Sequence, residues 1–488
     1  MKKLTQVFII LALCLCALML ISCGGNDETT ITEAPPVEPD PSSEGLAFEM
    51  NSDGKSYAVV GLGEIKDSKI VIPSTYRNLP VTKIADYAFR DCTDITEVVC
   101  PDSLKYIGRE AFMGCANLES VNIPNGVTYI GRSAFENCVS LEEITIPDSV
   151  TEIGIALFMN CSGLKTVRLS KGLTRIDNYT FSGCTSLADI EIPDTVTYMG
   201  VSVFMNCESL VKIEIPKNIT RILEDTFRGC KSLLSIEIPE GVTDVGNGAF
   251  SKCSGAKTLI IPSTLQITNN YLFSDMFFGC KSIESIVVHP DNQTCKTIDG
   301  NLYSVDGTVL IKYCSGKIDT TFEIPEGVTT IGYLSFYQSE NLEAVIMPDS
   351  VTIIGDSAFS ECRNLKEITL PELLTELGRR AFWGCTALES IEIPAFVKTI
   401  DDSTFASCTS LKNVTLPVYL ETIKMGAFYE CTSLEKIVIP MSVKKVEPRA
   451  FDKCSNLTVC CMAMNISQWS WGWDNGVKEV IKGYNDGK

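Results

Sequence analysis

A motif of 23 residues recurs through most of this 488-residue chain, and it constrains the fold more than any other feature. Three consecutive copies read NLESVNIPNGVTYIGRSAFENC, SLEEITIPDSVTEIGIALFMNC and GLKTVRLSKGLTRIDNYTFSGC. Their shared template is L-x-x-I-x-I-P-x-x-V-T-x-I-G-x-x-A-F-x-x-C. One such unit is too small to bury its own apolar residues, so copies must stack to build a core. The period therefore predicts a solenoid rather than a set of separate globular domains.

Each part of the template predicts a local structure. The alternating end of L-x-x-I-x-I is typical of a short strand with one face inward, and proline followed by turn residues ends it. The V-x-x-I piece indicates a second extended segment on the opposite side. We expect G-x-x-A-F-x-x-C to form one or two helical or 3₁₀ turns. Equivalent strands should pair in parallel about 4.8 Å apart, giving about 16 coils.

Cysteine fills the last template position in fourteen of fifteen copies, and Ser339 fills it in the other. A phenylalanine precedes each position by three residues, from Phe89 to Phe451, which uses 15 of the 21 phenylalanines. Equivalent side chains in stacked coils run parallel about 4.8 Å apart, whereas a disulfide needs converging Cβ atoms near 3.8 Å. We therefore expect a ladder of buried free thiols rather than disulfides. The ladder comprises Cys92, Cys115, Cys138, Cys161, Cys184, Cys207, Cys230, Cys253, Cys280, Cys362, Cys385, Cys408, Cys431 and Cys454.

This template resembles the BspA-like leucine-rich repeats of bacterial surface proteins, and the resemblance extends over residues 46–488. It implies a leucine-rich-repeat solenoid, rich in β-structure, with a parallel strand ladder on its concave face. It also implies export, and a role in adhesion to host or matrix proteins or to other bacteria. The segment before the regular repeats is similar to the N-terminal cap of the family, which we place with the first coil at residues 46–83.

The N-terminus carries the features of a bacterial lipoprotein signal. Lys2 and Lys3 precede an apolar run from Val7 to Ile21, and the sequence Leu-Ile-Ser-Cys ends it at Cys23. We predict a signal peptide over residues 1–22 and lipid on Cys23, with an ordinary cleaved signal as the alternative. Residues 23–45 are acidic and proline-rich, and they contain too little apolar surface to offset the entropy of ordering. They are predicted to form a disordered tether between a bacterial membrane and the repeats.

The period breaks at two nearby places within the repeats and ends before the C-terminus. The ninth coil has four extra residues before Cys280. Between regular coils at 84–288 and 325–454, residues 289–324 carry 13 extra residues with two Asp-Gly pairs, which indicates a β-hairpin. The hairpin is either a binding element or a decoration packed on the coil, and a crosslink between Cys295 and Cys314 remains an alternative within it. Residues 455–488 follow the last repeat and hold three of the four tryptophans. We expect them to form a C-terminal cap that buries these side chains over the last coil, with ligand stacking as the alternative.

Composition and motifs argue against several function classes. The net charge of −20 opposes binding to nucleic acid, which needs a basic surface. His289 is the single histidine, so catalytic pairs and metal sites built on histidine have little support. The chain has no phosphate-binding glycine loop and no nucleophile elbow. We predict no catalytic residues, no metal site and no cofactor, and the aspartates near the hairpin are better explained as turn residues than as calcium ligands.

Function should therefore lie on the strand face, where the residue between the two core aliphatics of each strand points to solvent. Glu191, Glu214 and Glu237 place three carboxylates on adjacent strands, where like charges repel, with Lys212 offsetting part of the repulsion. The full set along the stack is Val99, Asn122, Thr145, Arg168, Glu191, Glu214, Glu237, Ile260, Val287, Glu323, Ile346, Thr369, Glu392, Thr415 and Val438.

Apolar residues follow the acidic ones on this face, at Ile260, Val287 and Ile346. They form either part of a ligand site or a surface covered by the hairpin. We predict a non-enzymatic surface protein that binds a protein or another macromolecule through the three glutamates and these three apolar residues. The six predicted binding residues are Glu191, Glu214, Glu237, Ile260, Val287 and Ile346. A structural cell-envelope spacer without a ligand is the alternative, and an enzyme is the least supported class.

Overall fold

A computed structural model describes residues 44–268 and 270–485 of the chain. The predicted signal peptide, Cys23 and nearly all of the tether lie outside these residues. The described chain is a β-solenoid in which each 23-residue unit forms one coil, as the repeat predicts. Most coils contribute a strand to one side and a shorter extended segment to the other, so the apolar side chains of both meet between them.

The first ladder consists of the strands that end before the proline turns, and we call its solvent side the strand face. Neighbouring strands pair in parallel, for example Val98 with Val121 and Ile144 with Val167. Its members are Lys69–Val71, Glu97–Val99, Ser120–Asn122, Glu143–Thr145, Thr166–Arg168, Ser235–Glu237, Thr258–Ile261, Ser285–Val288, Thr321–Glu323, Ala344–Ile346, Glu367–Ile368, Ser390–Glu392, Asn413–Thr415, Lys436–Ile439, Thr458–Cys461 and Glu479–Lys482.

The V-x-x-I pieces form a second parallel ladder, which confirms the second extended segment of each coil. Its members are Leu79–Ile84, Tyr106–Ile107, Tyr129–Ile130, Glu152–Ile153, Arg175–Ile176, Tyr198–Met199, Arg221–Ile222, Asp244–Val245, Val309–Lys312, Thr330–Ile331, Ile353–Ile354, Glu376–Leu377, Thr399–Ile400, Thr422–Ile423 and Lys445–Val446. The N-terminal end adds Ala47–Met50, Tyr57–Gly61 and Thr75–Tyr76, so antiparallel pairing covers the first coil there.

The G-x-x-A-F-x-x-C segment is not helical, contrary to the expectation of helical or 3₁₀ turns. Successive turns close it, as when the Cys115 N–H donates to Phe112 O at 3.1 Å. Other amides in the same segment donate to the next coil instead, as Phe112 N–H does to Ala134 O at 2.8 Å. Glu110 has a φ of 53°, a left-handed conformation that interrupts a right-handed helix. Among the described residues the single α-helix is Asn270–Met276, in the coil with four extra residues.

A stack of phenylalanine rings runs through the core, one ring from each coil. Between Phe89 and Phe277 neighbouring ring centroids lie 5.2 to 5.6 Å apart. A second run from Phe336 to Phe451 has the same arrangement. The buried apolar residues correspondingly form two clusters, and the first ends at Cys314. The clusters meet at the coil formed by residues 289–324, which we call the irregular coil.

The irregular coil keeps more of the repeat than its sequence indicates. The predicted hairpin is present as Asn301–Ser304 paired with Val309–Lys312, and Cys295–Ile298 adds a third antiparallel strand. Tyr313 stacks on Phe336 with centroids 5.1 Å apart, so tyrosine fills the aromatic position of this coil. Gly316 follows three residues later, in the position that cysteine holds elsewhere. The hairpin is therefore an extension of one complete coil rather than a gap between two.

The C-terminal segment caps the stack, with one departure from expectation. Trp473 and Phe451 pack in a T-shaped arrangement with a centroid distance of 6.2 Å, which closes the aromatic stack. Trp469 packs against Trp473 at 5.0 Å, and both are buried. Trp471 is 92% exposed, so the expectation that all three tryptophans are buried is wrong. In a strand, the side chains of residues 469, 471 and 473 would point to the same face. These residues lie in turns, where alternate side chains do not have to point the same way.

Candidate interaction surface

The strand face consists of solvent-facing side chains, because the residues on either side of each such position are buried or half-buried. In the strand Ser235–Glu237, for example, Ile236 is 1% exposed while Glu237 faces solvent. The other strand-face residues are exposed or half-buried in the same way. Side chains from neighbouring strands lie side by side here, so a ligand on this face would contact several coils at once.

Three exposed glutamates lie in consecutive coils and form an acidic cluster, defined here as Glu191, Glu214 and Glu237. Lys212 makes an ion pair with Glu214, and this hydrogen bond lowers the pKa of the glutamate and raises that of the lysine. Asp189 and Glu237 also raise the Lys212 pKa by their charge. One cation thus lies within electrostatic reach of several carboxylates, which leaves the cluster with a net negative charge.

Strand pairing is incomplete at the acidic cluster. The segments around Glu191 and Glu214 are extended but lie outside the regular strands, whereas Glu237 ends the strand Ser235–Glu237. The prediction that all three glutamates lie on adjacent paired strands is therefore wrong, although they do lie in adjacent coils. Like charges at equivalent positions disfavour close pairing, and this is a physical reason for the looser contact. Single amide bonds between coils persist, such as that from Val211 N–H to Ala188 O at 3.1 Å.

An apolar pair continues the strand face beyond the acidic cluster. The parallel register places Glu237 beside Ile260 and Ile260 beside Val287. Ile260 is half-buried and Val287 is 47% exposed, so the hairpin does not cover them fully. Ile346 is also exposed, but it pairs with Glu323.

The irregular coil lies between the apolar pair and Ile346. The Ile286 N–H donates to Gly300 O at 2.8 Å, and the Thr297 hydroxyl donates to Ile286 O at 3.0 Å. The three-stranded extension thus occupies the edge of the strand Ser285–Val288, where the next coil would otherwise pair. Five of the six predicted binding residues, from Glu191 to Val287, consequently form one surface, and Ile346 belongs to a separate set of paired strands.

The ladder cysteines have a uniform environment in the core. From Cys115 to Cys454, each thiol donates to the carbonyl oxygen of the phenylalanine in the preceding coil, at 2.9 to 3.3 Å. Burial raises the pKa of Cys161 and Cys408 to about 12. These thiols are therefore protonated at neutral pH, which suits packing and not nucleophilic chemistry.

All cysteines in the described part of the chain are free thiols, and this includes Cys295 and Cys314 in the irregular coil. The described residues contain no group of three or more histidine, cysteine or acidic side chains placed to hold a metal ion. His289 Nδ1 accepts a hydrogen bond from the Asp291 N–H at 3.2 Å, as a turn residue would. Within residues 44–268 and 270–485, no helix has both the length and the apolar character needed to cross a membrane.

Several solved structures of bacterial leucine-rich repeat proteins are similar to this chain. A leucine-rich cell surface protein from Faecalibacterium prausnitzii is 28% identical, with 91% of this chain and 95% of that chain covered and a TM-score of 0.46. A leucine-rich repeat protein from Bacteroides ovatus is 26% identical, with 86% and 98% covered and a TM-score of 0.49. No curated protein matches the sequence.

The family assignment rests on the repeats themselves. A model of the BspA type leucine rich repeat region, with six copies, matches residues 82–211, 197–305 and 312–458. These spans include most of the coils described above, on both sides of the irregular one. The chain belongs to the BspA-type leucine-rich repeat family.

Proposed function

We propose that the protein is anchored to the bacterial surface by lipid on Cys23 and binds a basic protein partner through its strand face. Membership of the family indicates a surface protein-interaction role. The observation that carries the proposal is the acidic cluster, in which Lys212 pairs with Glu214 and interacts by charge with Glu237 and the nearby Asp189, so that one cation faces more carboxylates than it can neutralise. An incompletely neutralised cluster of this kind attracts a cationic surface and accelerates encounter.

The apolar pair gives the same surface a second component. Glu237, Ile260 and Val287 lie side by side in register, so an apolar side chain of the partner would sit next to its cationic patch. Charges mainly set the association rate, while burial at Ile260 and Val287 would slow dissociation. The partner we expect is therefore a protein with a lysine- or arginine-rich patch beside one apolar anchor, such as a host matrix protein or a protein on another cell.

Binding kinetics against immobilised matrix proteins, and against whole cells, test this proposal. The variant carries Glu191→Gln, Glu214→Gln and Glu237→Gln, which remove three charges without shortening the side chains. Its matched control carries Glu323→Gln, Glu367→Gln and Glu392→Gln, three exposed glutamates on the same side of remote coils. We expect the cluster variant alone to associate about tenfold more slowly at low salt and to lose much of its salt dependence.

Ile260→Lys tests the apolar component separately, and it should raise the dissociation rate with little effect on folding. Equal kinetics for the parent, the cluster variant and the control would show that this face is the wrong one. A protein that binds no cell and no matrix protein would favour the spacer role instead.

Lipid attachment has its own test. A Cys23→Ala form should lose metabolic labelling with a radioactive fatty acid and leave the detergent phase on partitioning. Retained labelling or unchanged partitioning would contradict the anchor, but it would leave the proposal for the strand face intact.

A further inference from the structure

The turns that follow the first-ladder strands change character along the stack. In the ten regular coils whose turns begin at residues 101 to 348, the next two positions hold polar residues or glycine, such as Asp148 and Ser149. The last turns carry apolar side chains there instead. We call this set the apolar ridge, and its members are Leu373, Phe396, Val418, Tyr419, Met441 and Met464.

The apolar ridge is exposed along its whole length. Its side chains are 53% to 78% exposed, and the ridge lies at the end of consecutive first-ladder strands, from Glu367–Ile368 to Thr458–Cys461. Coils rise about 4.8 Å each, so the ridge extends roughly 20 Å. Nothing in the core explains it, because the buried residues of these coils are the same types as elsewhere.

The exposed area is large enough for a stable interface. At about 150–250 Å² per aromatic side chain, Phe396 and Tyr419 present on the order of 250 Å² with these exposures. The four aliphatic and methionine side chains, at about 60–120 Å² each, add on the order of 250 Å². The largest apolar patch on an ordinary monomer is about 300–600 Å². Each partner in a standard protein interface contributes about 800 Å². The apolar ridge therefore lies in the upper part of the first range, and two ridges in contact would together bury about 1,000 Å², the lower limit for a specific interface.

The charge distribution favours a second copy of this chain as the molecule that covers the apolar ridge. From residue 371 to the end of the chain, 14 acidic residues face 13 basic ones, although the whole chain has a net charge of −20. Two copies of such a chain repel each other least where their last coils meet. An anionic lipid surface would be repelled by the remaining coils. Equal spacing of the coils also lets the side chains of two identical ridges interdigitate about a two-fold axis, with the same patch used on both copies.

We propose that the apolar ridge pairs with the apolar ridge of a second copy of this chain, forming a two-fold symmetric dimer. The contact is separate from the acidic cluster and does not depend on the function proposed for it. Dimerisation would present two strand faces to one partner or to two, which raises avidity without a new contact.

Photo-crosslinking of the full chain in its native membrane tests the dimer and identifies any other occupant. The photoreactive residue p-benzoylphenylalanine replaces Tyr419, and the cells are irradiated. We expect a product of twice the chain mass, with crosslinked peptides that join position 419 to the ridge turns of the second copy. Crosslinks only to lipid or to a different protein, or the absence of a dimer product, would overturn the proposal.

Matched variants show whether the ridge itself makes the contact. Phe396→Asp in the photoreactive chain should lower the dimer yield at least tenfold. Ile318→Asp introduces the same chemistry at an apolar residue that is 88% exposed outside the ridge, and it should leave the yield unchanged. The thermal unfolding midpoint of each variant checks that it is folded. Raising the salt concentration should maintain or increase the yield, because it screens repulsion between acidic coils, whereas a falling yield would indicate a contact held by charge.

Discussion

At the scale of single residues, the buried thiols couple folding to pH. The pKa of Cys115, Cys161 and Cys408 is raised by burial to about 12, whereas an unfolded cysteine titrates near 8.5. The folded chain therefore retains protons that the unfolded chain loses. Stability from this source is complete below about pH 8.5 and falls as pH rises towards 12, by about 1.4 kcal/mol per pH unit for each such thiol.

Replacing one thiol isolates its contribution from other groups that titrate at high pH. Between pH 8.5 and 10.5, the free energy of unfolding of Cys161→Ala should fall less than that of the parent, by about 2–3 kcal/mol. Urea unfolding at several pH values measures the difference. Parallel pH profiles for the two chains would show that Cys161 does not titrate differently on unfolding.

Lys312 is the opposite case, a base whose charged form is disfavoured by burial. Its ammonium group donates to Leu334 O at 3.3 Å, and no salt bridge to it is found among the described residues. Desolvation lowers the Lys312 pKa, although the nearby thiols of Cys314, Cys280 and Cys362 oppose this. Burial of the protonated Lys312 therefore lowers the free energy of unfolding. This loss is complete below the pKa of Lys312 in the folded chain, and it disappears as pH rises to the pKa of lysine in the unfolded chain, near 10.4.

The variant Lys312→Met should consequently stabilise the protein at pH 7, by about 1 kcal/mol, because it keeps the apolar stem and removes the buried charge. The gain should shrink as pH approaches 10.4. Differential scanning fluorimetry at pH 7 and at pH 10 compares the two chains, and Lys231→Met, at an exposed ion pair, serves as the control. A loss of stability at pH 7 would mean that the bond to Leu334 outweighs desolvation.

At the scale of one element, the irregular coil shows where sequence analysis stops. The period predicts both ladders and the buried aromatic and cysteine positions, because the same apolar spacing recurs in every regular coil. It misses Tyr313 and Gly316 because neither has the expected residue type. They lie 23 residues before Phe336 and Ser339, but the insertion separates them from Phe277 and Cys280 in the preceding coil by 36 residues. The like charges of the acidic cluster indicate weaker pairing at Glu191, but the sequence does not determine the size of the displacement between coils that breaks the regular strands.

The irregular coil and the coil that follows it contain polar groups that the other coils lack. The hydroxyls of Tyr313 and Ser339 are buried and have no hydrogen-bond partner in the structure. Regular coils place phenylalanine and cysteine at these positions, where the ring needs no partner and the thiol finds one. An unpartnered buried hydroxyl costs about 1–3 kcal/mol.

Restoring the repeat at these positions should therefore stabilise the chain. We expect Tyr313→Phe and Ser339→Cys each to raise the free energy of unfolding by about 1 kcal/mol. Urea unfolding measures both, with Tyr129→Phe, at a half-buried ring, as a control that should change little. The reciprocal change Cys362→Ser in a regular coil should destabilise. Lower stability in both restored variants would indicate that the hydroxyls have partners in solution, such as bound water.

At the scale of the whole molecule, fold and function depend on the same feature, the contact between adjacent coils. Each coil buries its aromatic ring only against its neighbours, so the stack behaves as a chain of nearest-neighbour interfaces. The acidic cluster exists only because three coils hold their glutamates in line. The sequence predicts which residues are in line, but partner identity depends on a surface outside this chain.

Hydrogen exchange of the variant Phe204→Ala, followed by mass spectrometry, tests this claim most directly. Phe204 is fully buried between Phe181 and Phe227, with centroids 5.4 and 5.5 Å away. Its truncation should cost about 3–5 kcal/mol through lost burial and a cavity. We predict that protection falls most in the coils that contain these three rings, including the strand-face segments at Glu191 and Glu214, and recovers within a few coils on either side. A uniform loss of protection from the first coil to the last would contradict nearest-neighbour stacking.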